Sequence, residues 1–145
     1  ELAIEEGGVV LAGGTREMTG FSGPHGIGAF LRPTVVGNLS HTSRCATEEI
    51  FGPMVTLHSF TNETEALEMV NASEYGLAGS VWTKDVERGR VFSEQMETGI
   101  VWVNTWLHRD LRTPFGGVKN SGVGREGGQW SLDFFSELTN VCIKN

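Results

Sequence analysis

The feature that most constrains the fold is an alternation of strand-like and helix-like segments over residues 54–104. The segments are a strand at 54–60 (MVTLHSF), a helix at 63–71 (ETEALEMVN), a strand at 77–83 (LAGSVWT), a helix at 84–99 (KDVERGRVFSEQMETG) and a strand at 100–104 (IVWVN). The strands are short and rich in apolar residues, whereas the helices repeat apolar residues at a spacing of three or four. This alternation predicts βαβ units, and therefore an α/β fold with a parallel sheet covered by helices.

Each predicted helix has an inward face and recognisable ends. The inward positions are Ala66, Leu67 and Val70 in the first helix and Val86, Gly89, Phe92 and Met96 in the second. Thr61 or Asn62 can cap the N-terminus of the first helix, because both side chains can accept a backbone hydrogen bond. Gly99 is expected to end the second helix, since glycine is favoured just after a helix C-terminus.

The segments before this alternation are shorter and richer in glycine. Residues 1–8 (ELAIEEGG) resemble the last turns of a helix that Gly7 and Gly8 end, so we expect the C-terminal piece of a longer protein. The elements expected next are a buried strand at Val9–Gly14, a loop at 15–28 and an extended stretch at 29–36, which Pro33 makes irregular.

After the alternation, the chain is irregular and glycine-rich from Thr105 to about Gln129. A short helix is expected at 131–137 (SLDFFSE) and a strand at 138–144 (LTNVCIK). The strand is apolar at alternate positions and follows a long irregular stretch, so we expect it to pair outside the main sheet. An exposed edge of this kind is normally covered by a partner.

Composition and charge exclude several classes of protein. The net charge of −7 argues against a nucleic-acid binder, which needs a basic surface. No apolar stretch approaches the length of a membrane span and no signal peptide is evident, so we expect a cytoplasmic protein with no membrane partner. Cys45 and Cys142 form no C-x-x-C pair and fit two small buried residues in a reducing compartment. His25, His41, His58 and His108 lack ligand spacing, so no metal is expected.

A glycine motif at residues 121–128 (SGVGREGG) raises the question of a nucleotide loop. Gly122, Gly124 and Gly127 match the G-x-G-x-x-G spacing, but such a loop needs a strand before it, a helix after it and a later acidic residue. The preceding residues are mostly polar, Gly127-Gly128 would break a helix, and the chain ends eighteen residues after Gly127. We therefore favour a structural crossing in which glycines allow close backbone approach or positive φ.

Four other motifs occur together along the chain. They are EEIFGP at 48–53, YGLAGSVWTKD at 75–85, GIVWVN at 99–104 and TPFGGVKNSGVGREGG at 113–128. In this order and spacing they resemble the aldehyde dehydrogenase superfamily, over essentially the whole chain and roughly the last third of such an enzyme. The stretch NTWLHRDLRTPFGG at 104–117 is more similar to the branch that oxidises 2-hydroxymuconic semialdehyde in catechol meta-cleavage, or its 2-amino relative.

The resemblance implies an NAD-dependent oxidoreductase that forms a homo-oligomer, either a dimer or a tetramer. Residues 1–130 would belong to the catalytic α/β domain, and residues 131–145 would form the terminal helix and an oligomerisation strand. A cysteine thiolate would attack the aldehyde, hydride would pass to NAD⁺, and water would release the acid. The family's nucleophile and base precede this segment, and neither Cys45 nor Cys142 matches the nucleophile motif. No catalytic residue is therefore expected here, and the chain alone is expected to be inactive.

The resemblance also assigns binding roles to individual residues. Glu49 would accept hydrogen bonds from the nicotinamide ribose hydroxyls, because an ionised carboxylate only accepts. Phe51 would lie against the nicotinamide, and Arg109 would bind the carboxylate end of a muconic semialdehyde bidentately. The residues expected at the aldehyde entrance are Phe115, Trp106 and Leu107. Arg112 is a weaker candidate than Arg109, and Asp110 could tie either arginine into a surface pair.

Other interpretations stay open at this point. Outside the motif, Glu48 and Glu49 would be solvated loop acids, Phe51 a core residue and Arg109 a solvated arginine. Asn104 could bond backbone groups as a structural residue or have a functional role, and Phe115 could be a core residue. Trp102 and Trp106 are expected to be packing residues, of which Trp106 is better placed to reach the substrate channel. The dehydrogenase could act on a different aldehyde, or the chain could be a non-catalytic assembly module, since it lacks a nucleophile. The choice between NAD and NADP is also open.

Overall fold

A computed structural model describes residues 1–14 and 30–145, together with the backbone of three short strands between them (Arg16–Glu17, Ser22–Gly23 and Gly26–Ile27). The chain divides into two compact units, Glu1–Thr61 and Asn62–Asn145. The division expected from the resemblance, between residues 130 and 131, refers to roles within a longer enzyme, and it stays a prediction.

The first unit is built on a three-stranded mixed sheet. Its elements are α1 (Leu2–Glu5), β1 (Val9–Ala12), β2 (Arg16–Glu17), β3 (Ser22–Gly23), β4 (Gly26–Ile27), β5 (Phe30–Leu31), β6 (Thr34–Gly37), α2 (Arg44–Thr47) and β7 (Met54–Thr56). Strand β6 lies in the centre of the sheet, antiparallel to β1 and parallel to β7. The predicted helix end is confirmed, because Gly7 follows α1 with φ of +87°. The strand predicted at Val9–Gly14 is confirmed over Val9–Ala12.

The core of the first unit lies between α1, β6 and α2. Its buried members are Ala3, Val36, Leu39 and Cys45, and Leu2 and Met54 pack against them. Val36 is the most enclosed of these, with 1% of its surface exposed. The prediction that Cys45 is a buried packing residue is confirmed.

Two predictions for this unit need correction, and a third is confirmed. The loop predicted at 15–28 is wrong where β2 pairs with β5 and β3 pairs with β4, since two-residue ladders use backbone groups and need no apolar side chains. The remainder of that stretch, His25 included, lies outside the described residues. The extended stretch at 29–36 is confirmed as β5 and the start of β6, on either side of Pro33. The strand predicted at 54–60 is confirmed only over Met54–Thr56, where it pairs with residues 34–36 of β6, and residues 57–60 form no strand.

The second unit contains the predicted βαβ arrangement. Its elements are α3 (Glu63–Asn71), β8 (Tyr75–Gly76), β9 (Ala78–Val81), α4 (Val86–Ser93), β10 (Ile100–Val103), β11 (Val118–Lys119) and α5 (Gly128–Phe135). Strands β9 and β10 pair in parallel with α4 between them in sequence, and α4 packs on both. This confirms the parallel pairing that the alternation predicts.

The helix ends of the second unit depart partly from prediction. Asn62 caps α3, because its Oδ1 accepts a hydrogen bond of 3.0 Å from the Glu65 backbone N–H. Helix α4 ends at Ser93, so the prediction that Gly99 stops it is wrong. A Cβ at Gly99 would overlap the Gly116 carbonyl oxygen, so this glycine permits a close backbone crossing instead. Val86 is 65% exposed and does not face inward, since it begins the first turn of α4.

The end of the chain also departs from prediction. Helix α5 begins at Gly128, earlier than the expected residue 131, and residues 136–145 form neither helix nor strand. The strand expected at 138–144 is not formed in the single chain, because a strand needs a backbone partner and no described residue supplies one. Leu138, Val141 and Ile143 are therefore exposed, and so is Cys142, which was expected to be buried. Within the described residues, no helix combines the length and apolar character that crossing a membrane requires.

Candidate active-site segments

An open groove of about 500 Å³ lies in the first unit, between α2 and β7. Its walls are formed by Cys45, residues 48–52 and residues 54–56, so it contains both predicted cofactor-binding residues, Glu49 and Phe51. The two residues are held there by the irregular connection that joins α2 to β7. This places residues 48–52 of the sequence motif EEIFGP on the lining of a surface groove.

The two adjacent glutamates of this groove are in different situations. The Glu48 carboxylate is bound by the Arg44 guanidinium through two hydrogen bonds of 2.7 and 3.0 Å. Hydrogen bonding to Arg44 also lowers the pKa of Glu48. Among the described residues, no group bonds the Glu49 carboxylate, which is exposed. Glu49 is therefore the carboxylate with both oxygens available to a ligand.

Helix α2, which carries Arg44, is itself anchored by a carboxylate. Glu6 follows α1 and accepts the backbone N–H groups of Arg44 and Cys45 at 3.0 and 3.1 Å. These hydrogen bonds, chiefly the one from Cys45, lower the pKa of Glu6. The thiol of Cys45 is buried, and desolvation raises its pKa, which disfavours the nucleophilic thiolate.

Phe51 has an unusual backbone conformation. Its φ is +52°, in the left-handed region that a bulky residue rarely adopts, and its ring is 90% exposed. The interpretation of Phe51 as a core residue is therefore wrong. A strained residue that displays an aromatic ring to solvent beside an available carboxylate is typical of a ligand-binding position.

The second unit brings Arg109 and Phe115 together. The Arg109 guanidinium carbon lies 3.9 Å from the centroid of the Phe115 ring, a cation–π contact. The Arg109 Nη2 donates a hydrogen bond of 2.7 Å to Glu126 Oε1, and 34% of the Arg109 side chain is exposed. Arg109 is therefore not a freely solvated arginine, because a ring and a carboxylate fix its position.

The loop that precedes Arg109 is held by a tryptophan. Trp102 is buried on β10 and its Nε1 donates a hydrogen bond of 2.7 Å to the His108 carbonyl oxygen. Trp106 packs edge-on against it, with ring centroids 4.9 Å apart, and remains 56% exposed. Leu107 has a φ of +56° and is also exposed. The prediction that Trp102 is a packing residue is confirmed, and Trp106 and Leu107 are accessible to a ligand.

Two other polar residues of this region have structural partners. Arg112 donates to both carboxylate oxygens of Asp110, which confirms that Asp110 can form a surface pair. Hydrogen bonding to Arg112 lowers the pKa of Asp110. Asn104 accepts a hydrogen bond of 2.8 Å from the Thr83 backbone N–H, so it bonds a backbone group as expected.

The glycine motif proves to be a structural crossing, although one argument against a nucleotide loop is wrong. Strand β11 precedes Gly122 and helix α5 follows Gly127, so flanking elements do exist. However, β11 spans two residues and pairs antiparallel with β8, which is not a βαβ unit. A Cβ at Gly127 would overlap the Thr113 carbonyl oxygen, which explains the glycine there by close backbone approach.

The first backbone donors of α5 are also satisfied within the chain. The Gly127 N–H donates to Ser131 Oγ at 2.7 Å, and the Gly128 N–H donates to the Leu111 carbonyl oxygen at 3.2 Å. These groups are therefore not available to a phosphate. In the part of the chain that the structure describes, no cluster of three His, Cys, Asp or Glu side chains could hold a metal ion.

Sequence reasoning missed two residues of these segments. Arg44, the partner of Glu48, stands four positions before it, and this helical i,i+4 spacing could have revealed the pair. Glu126, the partner of Arg109, stands 17 positions after it, and no local pattern connects them.

The aldehyde dehydrogenase family matches residues 1–141, and the chain therefore belongs to this family. It is 49% identical to a 2-aminomuconic 6-semialdehyde dehydrogenase of a Pseudomonas species, covering 99% of this chain and 29% of that protein. It is 48% identical to the 2-hydroxymuconic semialdehyde dehydrogenase of Pseudomonas putida, covering 98% of this chain and 29% of that protein. The chain thus spans less than a third of the length of these relatives.

A solved structure has the same fold. The crystal structure of a Mycobacterium tuberculosis aldehyde dehydrogenase complexed with NAD⁺ matches this chain with a TM-score of 0.83 and 41% identity. The match covers 94% of this chain and 27% of that one. The α/β fold predicted from the alternation of segments is therefore confirmed as that of part of an aldehyde dehydrogenase.

Proposed function

We propose that this chain provides the nicotinamide-ribose contact and the substrate-recognition arginine of an NAD-dependent dehydrogenase. The proposed reaction oxidises 2-hydroxymuconic semialdehyde to the dicarboxylic acid, in catechol meta-cleavage. The observation that carries this proposal is the Arg109 guanidinium, which is fixed on the Phe115 ring in a loop with exposed apolar neighbours. A simple aldehyde would need only an apolar wall at such a place.

The chemistry of the first-unit groove fits a nicotinamide ribose. The ribose diol offers two O–H donors, and the Glu49 carboxylate is an acceptor whose oxygens have no partner among the described residues. The exposed Phe51 ring would provide an apolar surface that orients the nicotinamide. NAD⁺ bound in this groove would accept the hydride that the aldehyde carbon loses on oxidation.

The chemistry of the Arg109 segment fits the far end of the substrate. A muconic semialdehyde carries a carboxylate and a 2-oxygen there, and a planar guanidinium can bind two oxygens at once. Fixing that end would place the aldehyde carbon at a reproducible distance from the reacting groups. Trp106, Leu107 and Phe115 would line the path along the carbon chain.

A second candidate substrate is 2-aminomuconic semialdehyde. The identities to the 2-amino and 2-hydroxy relatives are nearly equal, at 49% and 48%. Both substrates carry the carboxylate that Arg109 would bind, so the arginine does not distinguish them.

The test is NADH formation by the full-length gene product with three substrates: the 2-hydroxy semialdehyde, the 2-amino semialdehyde and an uncharged aldehyde of similar length. The highest kcat/KM is expected with the 2-hydroxy substrate, and the lowest with the uncharged aldehyde. A higher value with the uncharged aldehyde would refute recognition of the carboxylate. Absence of NADH formation with every aldehyde would favour a non-catalytic assembly module.

We also propose that the protein is a cytoplasmic homo-oligomer whose interface includes the C-terminal segment. Helix α5 and residues 136–145 expose a series of apolar side chains, among them Phe134, Phe135, Leu138 and Ile143. Large apolar patches of this kind mark interaction surfaces. Deleting residues 138–145 from the full-length gene product should lower the mass measured by light scattering. An unchanged mass would exclude this segment from the interface.

A further inference from the structure

Glu126 is the one partner of Arg109 that the proposed function leaves without a role. Its backbone faces that of Phe115 in an antiparallel bridge, with N–H to carbonyl hydrogen bonds of 2.8 Å in both directions. The bridge therefore fixes the Glu126 carboxylate and the Phe115 ring relative to one another. Both groups contact the same guanidinium.

The Arg109 guanidinium uses only part of its hydrogen-bonding capacity in this arrangement. Of its five N–H donors, one on Nη2 bonds Glu126 Oε1, and no described residue accepts from Nε or Nη1. The guanidinium carbon lies 3.9 Å from the centroid of the Phe115 ring, and 34% of the Arg109 side chain is exposed, so the remaining donors are accessible from solvent. Accessible donors on a fixed guanidinium are what a carboxylate requires for bidentate binding.

We propose that Glu126 is a positioning residue for substrate selection, which holds the Arg109 guanidinium against the Phe115 ring with its unused N–H donors free to bind a carboxylate. This inference rests on the proposed function, because it concerns the substrate end that Arg109 would bind. A free arginine side chain occupies many rotamers, and ordering it during binding weakens affinity. Glu126 orders the Arg109 side chain before the substrate binds, so less conformational entropy is lost during binding. This should strengthen binding of the charged substrate about three- to tenfold.

The negative charge of Glu126 has an opposing effect, since it repels a substrate carboxylate. The Glu126 side chain is 62% exposed, so water and salt screen this repulsion. We therefore expect the ordering effect to dominate. The change in KM for the acid on substitution of Glu126 distinguishes the two effects. KM rises if Glu126 positions Arg109, and it falls if the charge of Glu126 chiefly repels the substrate.

The test measures kcat and KM of the full-length gene product for the semialdehyde acid and for an uncharged aldehyde of similar length. Glu126→Gln should raise KM for the acid about three- to tenfold, with kcat and both constants for the uncharged aldehyde unchanged. Glu126→Asp, which keeps the charge on a shorter side chain, should give an intermediate KM. The matched control is Asp110→Asn, which removes a carboxylate paired to the other arginine of this loop and should leave both KM values within about twofold.

An unchanged or lowered KM for the acid in both Glu126 variants would overturn the positioning role, as would equal changes for the two aldehydes. Thermal unfolding of each variant identifies loss of folding, and Glu126→Asp provides the test if Glu126→Gln does not fold. Arg109→Ala, measured in parallel, separates the two proposals. If Arg109→Ala impairs the acid selectively and the Glu126 variants do not, only the positioning role fails. If Arg109→Ala impairs both aldehydes equally, the substrate assignment fails and the positioning role fails with it.

Discussion

The groove around Glu49 and the loop around Arg109 present charged side chains in opposite ways. Glu49 has no partner among the described residues, although the neighbouring Glu48 is fully engaged by Arg44. Arg109 is held by a ring on one side and a carboxylate on the other. The difference follows from the neighbours, because no described residue donates to the Glu49 carboxylate, whereas the Phe115 ring and the Glu126 carboxylate both contact the Arg109 guanidinium.

The two regions also differ in what supports them. The glutamate groove depends on a chain of polar contacts, in which Glu6 anchors α2 and α2 carries Arg44 to Glu48. The loop around Arg109 is supported by the buried Trp102, which donates a hydrogen bond to the His108 carbonyl oxygen, and by the backbone bridge between Phe115 and Glu126. We therefore expect substitutions in the two regions to affect different steps of the reaction.

The largest effect is expected for Arg109→Ala. Removing a partly desolvated partner of a charged group costs on the order of 2–5 kcal/mol, so kcat/KM for the semialdehyde acid should fall at least about thirtyfold. An uncharged aldehyde of similar length should be little affected. Steady-state kinetics with both aldehydes tests this, and equal losses would mean that Arg109 supports the fold and does not recognise the carboxylate.

The next effect is expected for Glu49→Gln. An amide cannot accept two ribose hydroxyls as a carboxylate does, so the hydride-transfer rate should fall about tenfold or more, with a smaller change in aldehyde binding. Single-turnover NADH formation measures this rate directly. The matched control is Glu48→Gln, which changes the adjacent carboxylate that Arg44 already binds and should retain most of the rate. If the two variants are equally impaired, the distinction between the two glutamates is wrong.

The smallest effect is expected for Glu6→Gln, and it should depend on pH. The pKa of Glu6 lies below its ordinary value of 4.5, so the folded protein binds this proton less readily than the unfolded chain. The stabilisation is therefore present above about pH 4.5 and is lost as the pH falls through the lowered pKa. The Tm should fall by at most about 3 °C at neutral pH.

Thermal unfolding of the full-length gene product at several pH values measures the difference between wild type and Glu6→Gln. The difference should shrink as the pH falls below 4.5. The control is Glu5→Gln, since the adjacent Glu5 side chain forms no hydrogen bond or ion pair with any described residue of α2. A Tm difference that is constant across this range would show that the Glu6 carboxylate does not anchor α2 through its charge.

The parts of the fold that sequence predicted are those that local patterns determine. The βαβ unit follows from residues that alternate or repeat within one segment, and the cap at Asn62 follows from one side chain next to one helix. Gly99 was predicted wrongly because its role depends on a distant neighbour, whereas the terminal strand stays a prediction, because it would need a strand of another chain to pair with. Gly99 is required by the carbonyl of Gly116, and residues 138–144 lack a strand to pair with in this chain.

The candidate site residues also divide into those that local sequence motifs identified and those that only the structure revealed. The motifs identified Glu49 and Arg109, and Phe115 stands close enough in sequence for a loop to join it to Arg109. The positive φ of Phe51 and the pairing of Arg109 with Glu126 needed the structure, because a backbone conformation and a contact across 17 residues leave no periodic pattern. The glycines at 122, 124 and 127 also needed the structure. Their spacing matches a nucleotide-binding loop, whereas the contact of Gly127 with the Thr113 carbonyl oxygen shows a close backbone crossing.

The most direct test of the account is the ratio of kcat/KM for the semialdehyde acid to kcat/KM for an uncharged aldehyde of similar length. It is measured in the full-length gene product, in Glu49→Gln and in Arg109→Ala. If Glu49 contacts the nucleotide and Arg109 the far end of the substrate, Glu49→Gln lowers both values and leaves the ratio unchanged, whereas Arg109→Ala lowers the ratio at least about thirtyfold. A ratio that falls equally in both variants, or in neither, would contradict the assignment of the two regions to two different ligands.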